Sequence, residues 1–350
     1  MSTETLRRVF TGLVSSGWLS ENLDIVWHAG EPLVLPVEYY RTAFREINLL
    51  IPPNVKVTHN FQTNGILIDD NWCKFFNESG SRVGVSIDGP DELHDANRVT
   101  RSGKGTLSQT IAGIQYLHCH SVEFHVITVL TYRTLRRAAE LYEFYERNGI
   151  TSVSFNVEEI EGINLHSSLK EDPNYEIAFE NFLREFWNIL IERKTIKYVR
   201  EFDNIFKNII CPLGAPIENT LVDPFATVNV DWQGNFSTFS PELLGMKSTK
   251  YSNFILGNFA STTLNQSLHQ GTFRDLNREV SAGVERCRKT CEYFDICGGG
   301  APSNKLYENG TFNSTETMYC RLRIKLMSKV AMEIIENTAK EMRSVHALTV

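Results

Sequence analysis

The stretch RVGVSIDGP (residues 82–90) is a short apolar run that closes on a glycine–proline turn. Its length and its β-branched residues predict a buried strand. The segment that follows it, residues 106–118, has the periodicity of a helix. Two strands joined through such a helix pair in parallel, because the helix returns the chain to the edge of the sheet from which it left. The stretch therefore predicts an α/β fold with a parallel sheet.

The same alternation covers the first half of the chain. Strands are predicted at residues 23–28, 55–62, 82–87, 123–130 and 152–155, and helices at 5–16, after Pro36, and at 71–77, 106–118 and 135–148. The simplest arrangement of such units is a full or partial (β/α) barrel. The chain opens on a helix with no strand before it, which would leave strand edges exposed. We therefore expect a barrel whose first strand is missing.

The second half of the chain does not continue this alternation of strands and helices. Two long helices are predicted at residues 175–193 and 198–210, a hairpin at 228–236, and an amphipathic helix from Arg321 to Arg343. We expect four parts: a truncated barrel over residues 1–165, a helical connector over 166–210, a cysteine-containing domain over 211–325 and a C-terminal helix over 326–350.

Composition excludes several classes of protein. The 350 residues are 42% hydrophobic and 22% charged, which is typical of a folded enzyme rather than a disordered chain. A net charge of −7 argues against a nucleic-acid partner. No apolar run approaches the length of a membrane span, and the first residues lack a secretory signal. We expect a cytoplasmic protein.

Three successive strands end in turns of small residues, namely HAGEP (28–32), QTNG (62–65) and SIDGP (86–90). In (β/α) barrels the carboxyl ends of the strands build the active site, and glycine lets the backbone approach a ligand. The alternative is that glycine and proline only end the strands. The candidate binding residues, whose groups suit an amino acid or a ribose, are His28, Gly30, Glu31, Thr63, Asn64, Ser86 and Asp88.

More polar residues follow the later strands. Arg98 suits a substrate carboxylate through a bidentate pair, although an exposed ion pair on a loop is equally compatible with the sequence. Asn156, Glu158, Glu159 and Glu161 follow the last predicted strand on the same rim. Clustered carboxylates can orient hydroxyls or move protons, whereas a solvated acidic loop is the commoner explanation.

Four of the seven cysteines form the strongest local signal. They read Cys287-x3-Cys291-x5-Cys297-x22-Cys320, with three glycines directly after Cys297. Four thiolates suit an iron–sulfur cluster or a structural zinc, but zinc ribbons favour close Cys-x2-Cys pairs, which this spacing lacks. The glycines allow backbone N–H groups to point at cluster sulfides. We favour iron–sulfur over zinc or no metal, and we expect the other three cysteines, at 73, 119 and 211, to be buried apolar residues.

On these residues the chain resembles radical S-adenosylmethionine (SAM) enzymes with a C-terminal SPASM domain. It is most similar to the cyclophane-forming maturases of GRRM-type systems, which modify glycine-rich ribosomal peptides. HAGEP matches the Gly-Gly-Glu-Pro motif of the family, with Ala29 as a mild variant, and TNG and SIDGP match the strand ends that line the cofactor. The segments NVEEIEG (156–162) and STFSPEL (237–243) resemble the narrower maturase group.

The resemblance implies a partial, TIM-like (β/α)6 radical SAM barrel followed by a SPASM domain. It also implies that the strand-end residues bind SAM and that the four cysteines hold one auxiliary 4Fe-4S cluster. The set for a second auxiliary cluster is incomplete, with Cys211 alone near its place. The implied activity is radical removal of hydrogen from a glycine-rich precursor peptide, followed by bonding of an aromatic ring to a side-chain β-carbon. Ferredoxin or flavodoxin is the implied electron donor.

One departure from the family is serious. The Cys-x3-Cys-x2-Cys motif that holds the reductive SAM cluster does not occur in these residues. We expect it in a longer form, together with the missing first strand, so that a 4Fe-4S SAM cluster belongs only to the full-length protein; a degenerate family member is the alternative. Two rival functions remain: a catalytically dead peptide-binding scaffold, and a sulfatase-type maturase that oxidises cysteine or serine to formylglycine. The catalytic base is not identified by the sequence.

Overall fold

The computed structural model describes residues 1–210 and 219–347, with side chains over residues 1–210 and 219–340. Six parallel strands form the main sheet in the order of the chain. They are β1 (Asn22–Trp27), β2 (Lys56–Thr63), β3 (Arg82–Ser86), β4 (Phe124–Leu130), β5 (Ser152–Val157) and β6 (Tyr198–Val199). The first five predicted strands are confirmed to within two residues at each end. The α/β class and the partial barrel are confirmed as well.

Helices alternate with these strands. They are α1 (Thr3–Ser16), α2 (Val37–Leu50), α3 (Asp70–Ser79), α4 (Asp91–His94), α5 (Leu107–Cys119), α6 (Ala138–Arg147), α7 (Tyr175–Arg193) and α8 (Arg200–Ile210). Local sequence sets several of the ends. The Asp69 carboxylate accepts from the N–H of Trp72 at 2.9 Å and starts α3, and Gly80, with φ of 62°, ends it.

Two predicted helices need correction. The segment 198–210 does not begin as a helix: Tyr198 and Val199 pair in parallel with Ser152 and Val153 and form the sixth strand. Two residues are too few to show a strand period, so the pattern merged with the helix that follows. Likewise a short 3₁₀ turn, Thr134–Arg136, precedes α6 where one continuous helix over 135–148 was expected.

Over residues 219–347 the structure describes a small antiparallel sheet and six α-helices. These elements are β7 (Val228–Val230), β8 (Asn235–Thr238), β9 (Gly257–Asn258), α9 (Leu264–Ser267), α10 (Gly271–Thr290), α11 (Phe294–Cys297), α12 (Pro302–Asn309), α13 (Met318–Cys320) and α14 (Met327–Ala347). The predicted hairpin is confirmed as β7 and β8. Its turn is held by the Asp231 carboxylate, which accepts from the N–H groups of Gln233 (2.9 Å) and Asn235 (3.0 Å). A π-helical stretch, Arg321–Leu326, joins α13 to α14.

Two hydrophobic clusters stabilise the chain. The first packs the sheet against α1 to α3 and α5 to α8 and includes Leu322, Met327 and Val330 near the C-terminus. The second surrounds β8 and α10, with Phe236 and Phe312 fully buried. Among the residues of the described ranges, no helix is both long and apolar enough to cross a membrane.

The inner face of the parallel sheet is polar. Along β2 the residues His59, Phe61 and Thr63 are buried, whereas Asn60 and Gln62 between them are only half-buried. A Cβ at Gly84 of β3 would lie 2.3 Å from Gln62 Oε1, so glycine there leaves room for the polar side chains of the neighbouring strands. The inner face is therefore a polar concavity, open at the carboxyl ends of the strands.

Candidate functional site

The turn after β1 has an unusual backbone. Ala29, Gly30 and Glu31 adopt φ values of 64°, 63° and 62°, a left-handed conformation that a non-glycine residue adopts at a cost of about 1–3 kcal/mol. The Glu31 carboxylate accepts from Thr63 Oγ1 (2.6 Å), Asn64 N (2.8 Å) and Leu33 N (3.1 Å). These bonds tie the ends of β1 and β2 together and hold the strained turn at the rim of the barrel.

Among the predicted binding residues, the structure thus brings Glu31, Thr63 and Asn64 together. Ser86 lies on the inner face of the sheet, where its hydroxyl accepts from Gln62 Nε2 at 2.9 Å. His28 is exposed beside the same turn, and its side chain has no hydrogen bond to the described part of the chain. Their role in binding SAM stays a prediction.

Asp88 and Arg98 form an ion pair at the end of β3. Arg98 Nε and Nη2 donate to the two carboxylate oxygens of Asp88 at 2.6 and 3.1 Å, and the N–H of Val129 donates to the same carboxylate at 3.0 Å. The bidentate edge of Arg98 is therefore occupied by Asp88 in this structure, and its binding of a substrate carboxylate stays a prediction. The pair is also not an exposed one, because the Asp88 side chain is only 8% exposed.

The segment between Asp88 and Arg98 has a structural role. His94 is fully buried; its Nδ1 accepts from the Asp88 N–H at 3.3 Å, and its Nε2 lies 3.1 Å from Thr106 Oγ1. Burial lowers the pKa of His94 to about 4, so the ring stays neutral. Its two ring nitrogens hold the backbone at Asp88 close to Thr106. The Asp95 carboxylate accepts from the first N–H groups of α5.

A buried ionic network supports the end of β5. Arg200 Nη2 donates to Asn156 Oδ1 at 2.6 Å, and the Glu201 carboxylate binds both Arg200 Nε (2.7 Å) and Arg323 Nη1 (2.9 Å). Glu201 is 4% exposed and also accepts from the Phe155 N–H at 2.6 Å. The network fixes Asn156 on the rim and connects β5 to the π-helical stretch.

Beyond β5 the chain forms an acidic pocket of about 570 Å³. It is lined by residues of the segment 156–164, which include Glu158, Glu159 and Glu161, and by Glu242 and residues 244–246. Burial raises the pKa of Glu159, and burial together with the neighbouring Glu159 and Glu242 raises the pKa of Glu161. Both carboxyl groups therefore hold a proton to higher pH than an ordinary glutamate, which suits proton transfer near neutral pH.

The four clustered cysteines line one small cavity. Cys287 lies in the last turn of α10, Cys291 follows that helix, Cys297 ends α11 and Cys320 ends α13. Burial raises the pKa of Cys320 to about 12 and also raises that of Cys297, where the N–H groups of Gly299 and Gly300 act in the opposite direction. The thiols of Cys297 and Cys320 are therefore protonated unless a metal displaces the protons.

The donor set fits an iron–sulfur cluster. Thiolates are its usual ligands, and backbone N–H groups point at Cys297. The Lys305 ammonium, whose residue is only 3% exposed, donates to Cys287 Sγ at 3.3 Å and supplies a cation for an anionic group. Within the described ranges, no three His, Cys, Asp or Glu side chains are placed to bind a single metal ion. The four thiols line a cavity, an arrangement that suits a group of several atoms better than a single metal ion.

Sequence reasoning missed two residues of α12. Asn304, 1% exposed, donates from Nδ2 to Glu159 Oε2 at 2.7 Å, and Lys305 lies against the cysteines. No spacing rule marks either of them in the sequence. Of the remaining cysteines, Cys73 is buried as expected, but Cys119 is exposed because it is the last residue of α5. Cys211 lies outside the described residues.

Comparison with known proteins agrees with this architecture. Residues 22–160 match the Radical SAM superfamily. An uncharacterized protein of Synechocystis sp. is 38% identical over 339 residues, which cover 96% of this chain and 85% of that protein. A cysteine-type anaerobic sulfatase-maturating enzyme of Clostridium novyi is 23% identical over 86% of this chain and 78% of its own length.

A solved structure has the same fold. Native anSMEcpe with bound AdoMet and Cp18Cys peptide superposes with a TM-score of 0.73 at 21% identity, covering 98% of this chain and 92% of that chain. The fold is thus shared over nearly the whole length of both chains. The chain contains a radical SAM domain over residues 22–160 and is homologous to the anaerobic sulfatase-maturating enzymes.

Proposed function

We propose that this protein is a radical SAM peptide maturase that joins an aromatic ring to a side-chain β-carbon of a glycine-rich ribosomal precursor peptide. One observation carries the proposal: most of residues 156–162 line the same acidic pocket as Glu242, the member of the segment 237–243 that reaches it, although the two segments are far apart in sequence. These two segments are the ones that resemble the narrower maturase group. The pocket is open and roomy enough to admit an extended peptide.

The cofactors follow from the site residues. In this proposal the turns around Glu31, Asn64 and Asp88 bind SAM, which when bound supplies the adenosyl group that removes a hydrogen atom from the peptide. Cys287, Cys291, Cys297 and Cys320 hold one 4Fe-4S cluster, which supplies a one-electron acceptor. The sequence contains no Cys-x3-Cys-x2-Cys motif, so these residues do not fit a reductive SAM cluster.

The chain's own residues complete the balance of the reaction. Joining a ring carbon to a β-carbon removes two hydrogens from the peptide. One leaves as a hydrogen atom to the adenosyl group, and the other as a proton and an electron. Glu159 and Glu161 face the pocket, and their raised pKa values suit them to accept that proton. Ferredoxin or flavodoxin is the donor we propose for the electron that starts each turnover.

The test is an anaerobic reaction of the iron- and sulfide-reconstituted protein, in a form that includes a Cys-x3-Cys-x2-Cys segment, with SAM, dithionite and the glycine-rich peptide encoded beside its gene. We expect 5′-deoxyadenosine and a peptide that has lost two hydrogen atoms, with tandem mass spectra that skip fragments between the joined residues. A peptide whose aromatic residue is replaced by alanine is the control and should gain no crosslink. A complete lack of 5′-deoxyadenosine would favour the dead scaffold.

A second function is favoured by the sulfatase-maturating relatives. Oxidation of serine to formylglycine also removes two hydrogen atoms, so mass alone does not separate the two products. An aldehyde reacts with a hydrazide probe, whereas a carbon–carbon crosslink does not. Hydrazide labelling of the product, or turnover of a sulfatase peptide, would overturn the crosslinking proposal in favour of the sulfatase-type activity.

A further inference from the structure

Lys305 occupies an unusual position for a lysine. It lies in α12 and is 3% exposed. Its Nζ donates to Cys287 Sγ at 3.3 Å, and this is the only hydrogen bond that the side chain makes within the described residues. No carboxylate in residues 1–210 or 219–340 lies within ion-pair distance of its ammonium group. A positive charge is thus buried against a cavity lined by four thiols.

Such a charge needs a negative partner. A buried ammonium without a counter-ion is strongly destabilising, and a neutral thiol compensates little of the lost hydration. Four thiolates around a 4Fe-4S core carry a net negative charge, which grows when the cluster accepts an electron. The position of Lys305 is therefore explained if the cavity holds an anionic cluster, and it is unexplained if the thiols stay neutral.

We propose that Lys305 sets the reduction potential of the auxiliary cluster. This inference rests on the cluster proposed above. A fixed cation beside Cys287 stabilises the state with one more electron and so raises the midpoint potential. Lys305 acts through the cluster and touches neither the peptide nor the reacting carbon atoms.

The helix that carries Lys305 also reaches the acidic pocket. Asn304 is its neighbour in α12 and donates to Glu159 at 2.7 Å. The same short helix therefore contacts the cysteine cavity through one side chain and the pocket wall through the next.

The experiment is a redox titration of the reconstituted protein with dithionite and mediators, followed by electron paramagnetic resonance. Lys305→Met removes the charge at similar length, and Lys305→Arg retains it. For Lys305→Met we expect the same iron content as wild type but at least a tenfold weaker equilibrium for reduction, which is about 59 mV more negative for one electron. Lys305→Arg should titrate close to wild type.

The outcomes separate this inference from the proposed function. A wild-type protein that binds zinc or no iron removes the auxiliary cluster and, with it, the role of Lys305. Equal iron content with equal midpoint potentials overturns the role of Lys305 and leaves the cluster in place. If Lys305→Met fails to retain iron, Lys305→Gln, which keeps a polar donor without the charge, is titrated instead and must show the same negative shift.

Discussion

Glu161 is a single residue whose environment makes a quantitative prediction. Its pKa is raised by burial and by Glu159 and Glu242, so the folded state binds its proton more tightly than the unfolded state. Below the ordinary value of 4.5 both states are protonated; as the pH rises above it, the unfolded state ionises first and the free energy of unfolding falls. Stability is therefore lost between about pH 4.5 and mildly alkaline pH.

Glu161→Gln mimics the protonated acid and should remove this loss. We expect the variant to match wild type near pH 4.5 and to be about 1–2 kcal/mol more stable at pH 8, a figure reduced for the water that reaches this half-buried group. Denaturant unfolding at several pH values measures the difference. Glu21→Gln, at an exposed position outside the pocket, is the control and should follow the wild-type curve; a Glu161→Gln curve parallel to wild type would contradict the prediction.

At the residue scale, sequence reasoning identified the polar residues at the strand ends but not the groups that each of them contacts. The strand-end residues were predictable because parallel strands bring their carboxyl ends to one edge, so Glu31 and Thr63 had to be neighbours. The partner of Arg98 was not, because the choice between Asp88 and a substrate depends on distances that spacing does not give. Lys305 could not be identified either, because the sequence does not distinguish a buried lysine from the far commoner lysine at the surface.

At the scale of elements, the side chain of Arg323 makes one of the contacts that attach the π-helical stretch Arg321–Leu326 to the barrel. Arg323 Nη1 donates to the carbonyl of Phe155 at 2.9 Å and pairs with Glu201, whose side chain is 2% exposed. Removing one partner of a buried ion pair leaves the other charge poorly compensated. The cost is about 3–5 kcal/mol where no other partner is present.

Arg323→Met should therefore lower the free energy of unfolding by about 3 kcal/mol, at the lower end of that range because Arg200 still binds Glu201. Chemical denaturation measures the change. The matched control is Arg278→Met, which breaks an exposed pair with Asp275 and should cost no more than about 0.5 kcal/mol. Equal costs for the two variants would show that the network does not anchor the stretch.

Long helices and strands were easier to predict than the short segments that connect them. Long segments such as Tyr175–Arg193 were identified correctly, because their apolar period persists for several turns. The errors fall where an element has only two or three residues, as in β6, or where the helical hydrogen bonding changes register without a break in periodicity, as in the stretch Arg321–Leu326. The conformation of such segments depends on contacts with residues distant in sequence, and a local sequence pattern does not show those contacts.

At the scale of the whole molecule, the cysteine cavity lies where the two hydrophobic clusters meet. Cys287 continues α10, which packs in the second cluster through Leu276 and Val280. Cys320 directly precedes the π-helical stretch, whose Leu322 belongs to the first cluster. A metal group bound by both cysteines would therefore connect the two halves of the chain, and its binding energy would contribute to folding.

Cys291→Ala tests this connection. Removing one of the four thiolates should lower bound iron and expose the amides of α10 to α13 to faster hydrogen exchange, while β2 to β4 stay protected by the first cluster. Iron analysis, thermal melting and exchange measured by mass spectrometry report the three effects, and a single unfolding transition should separate into two. Cys119→Ala, at an exposed thiol remote from the four in sequence, is the control and should leave all three unchanged. Unchanged iron and melting in Cys291→Ala would mean that the thiols hold no cluster, and the halves would then be joined only by packing of the C-terminal segment on the barrel.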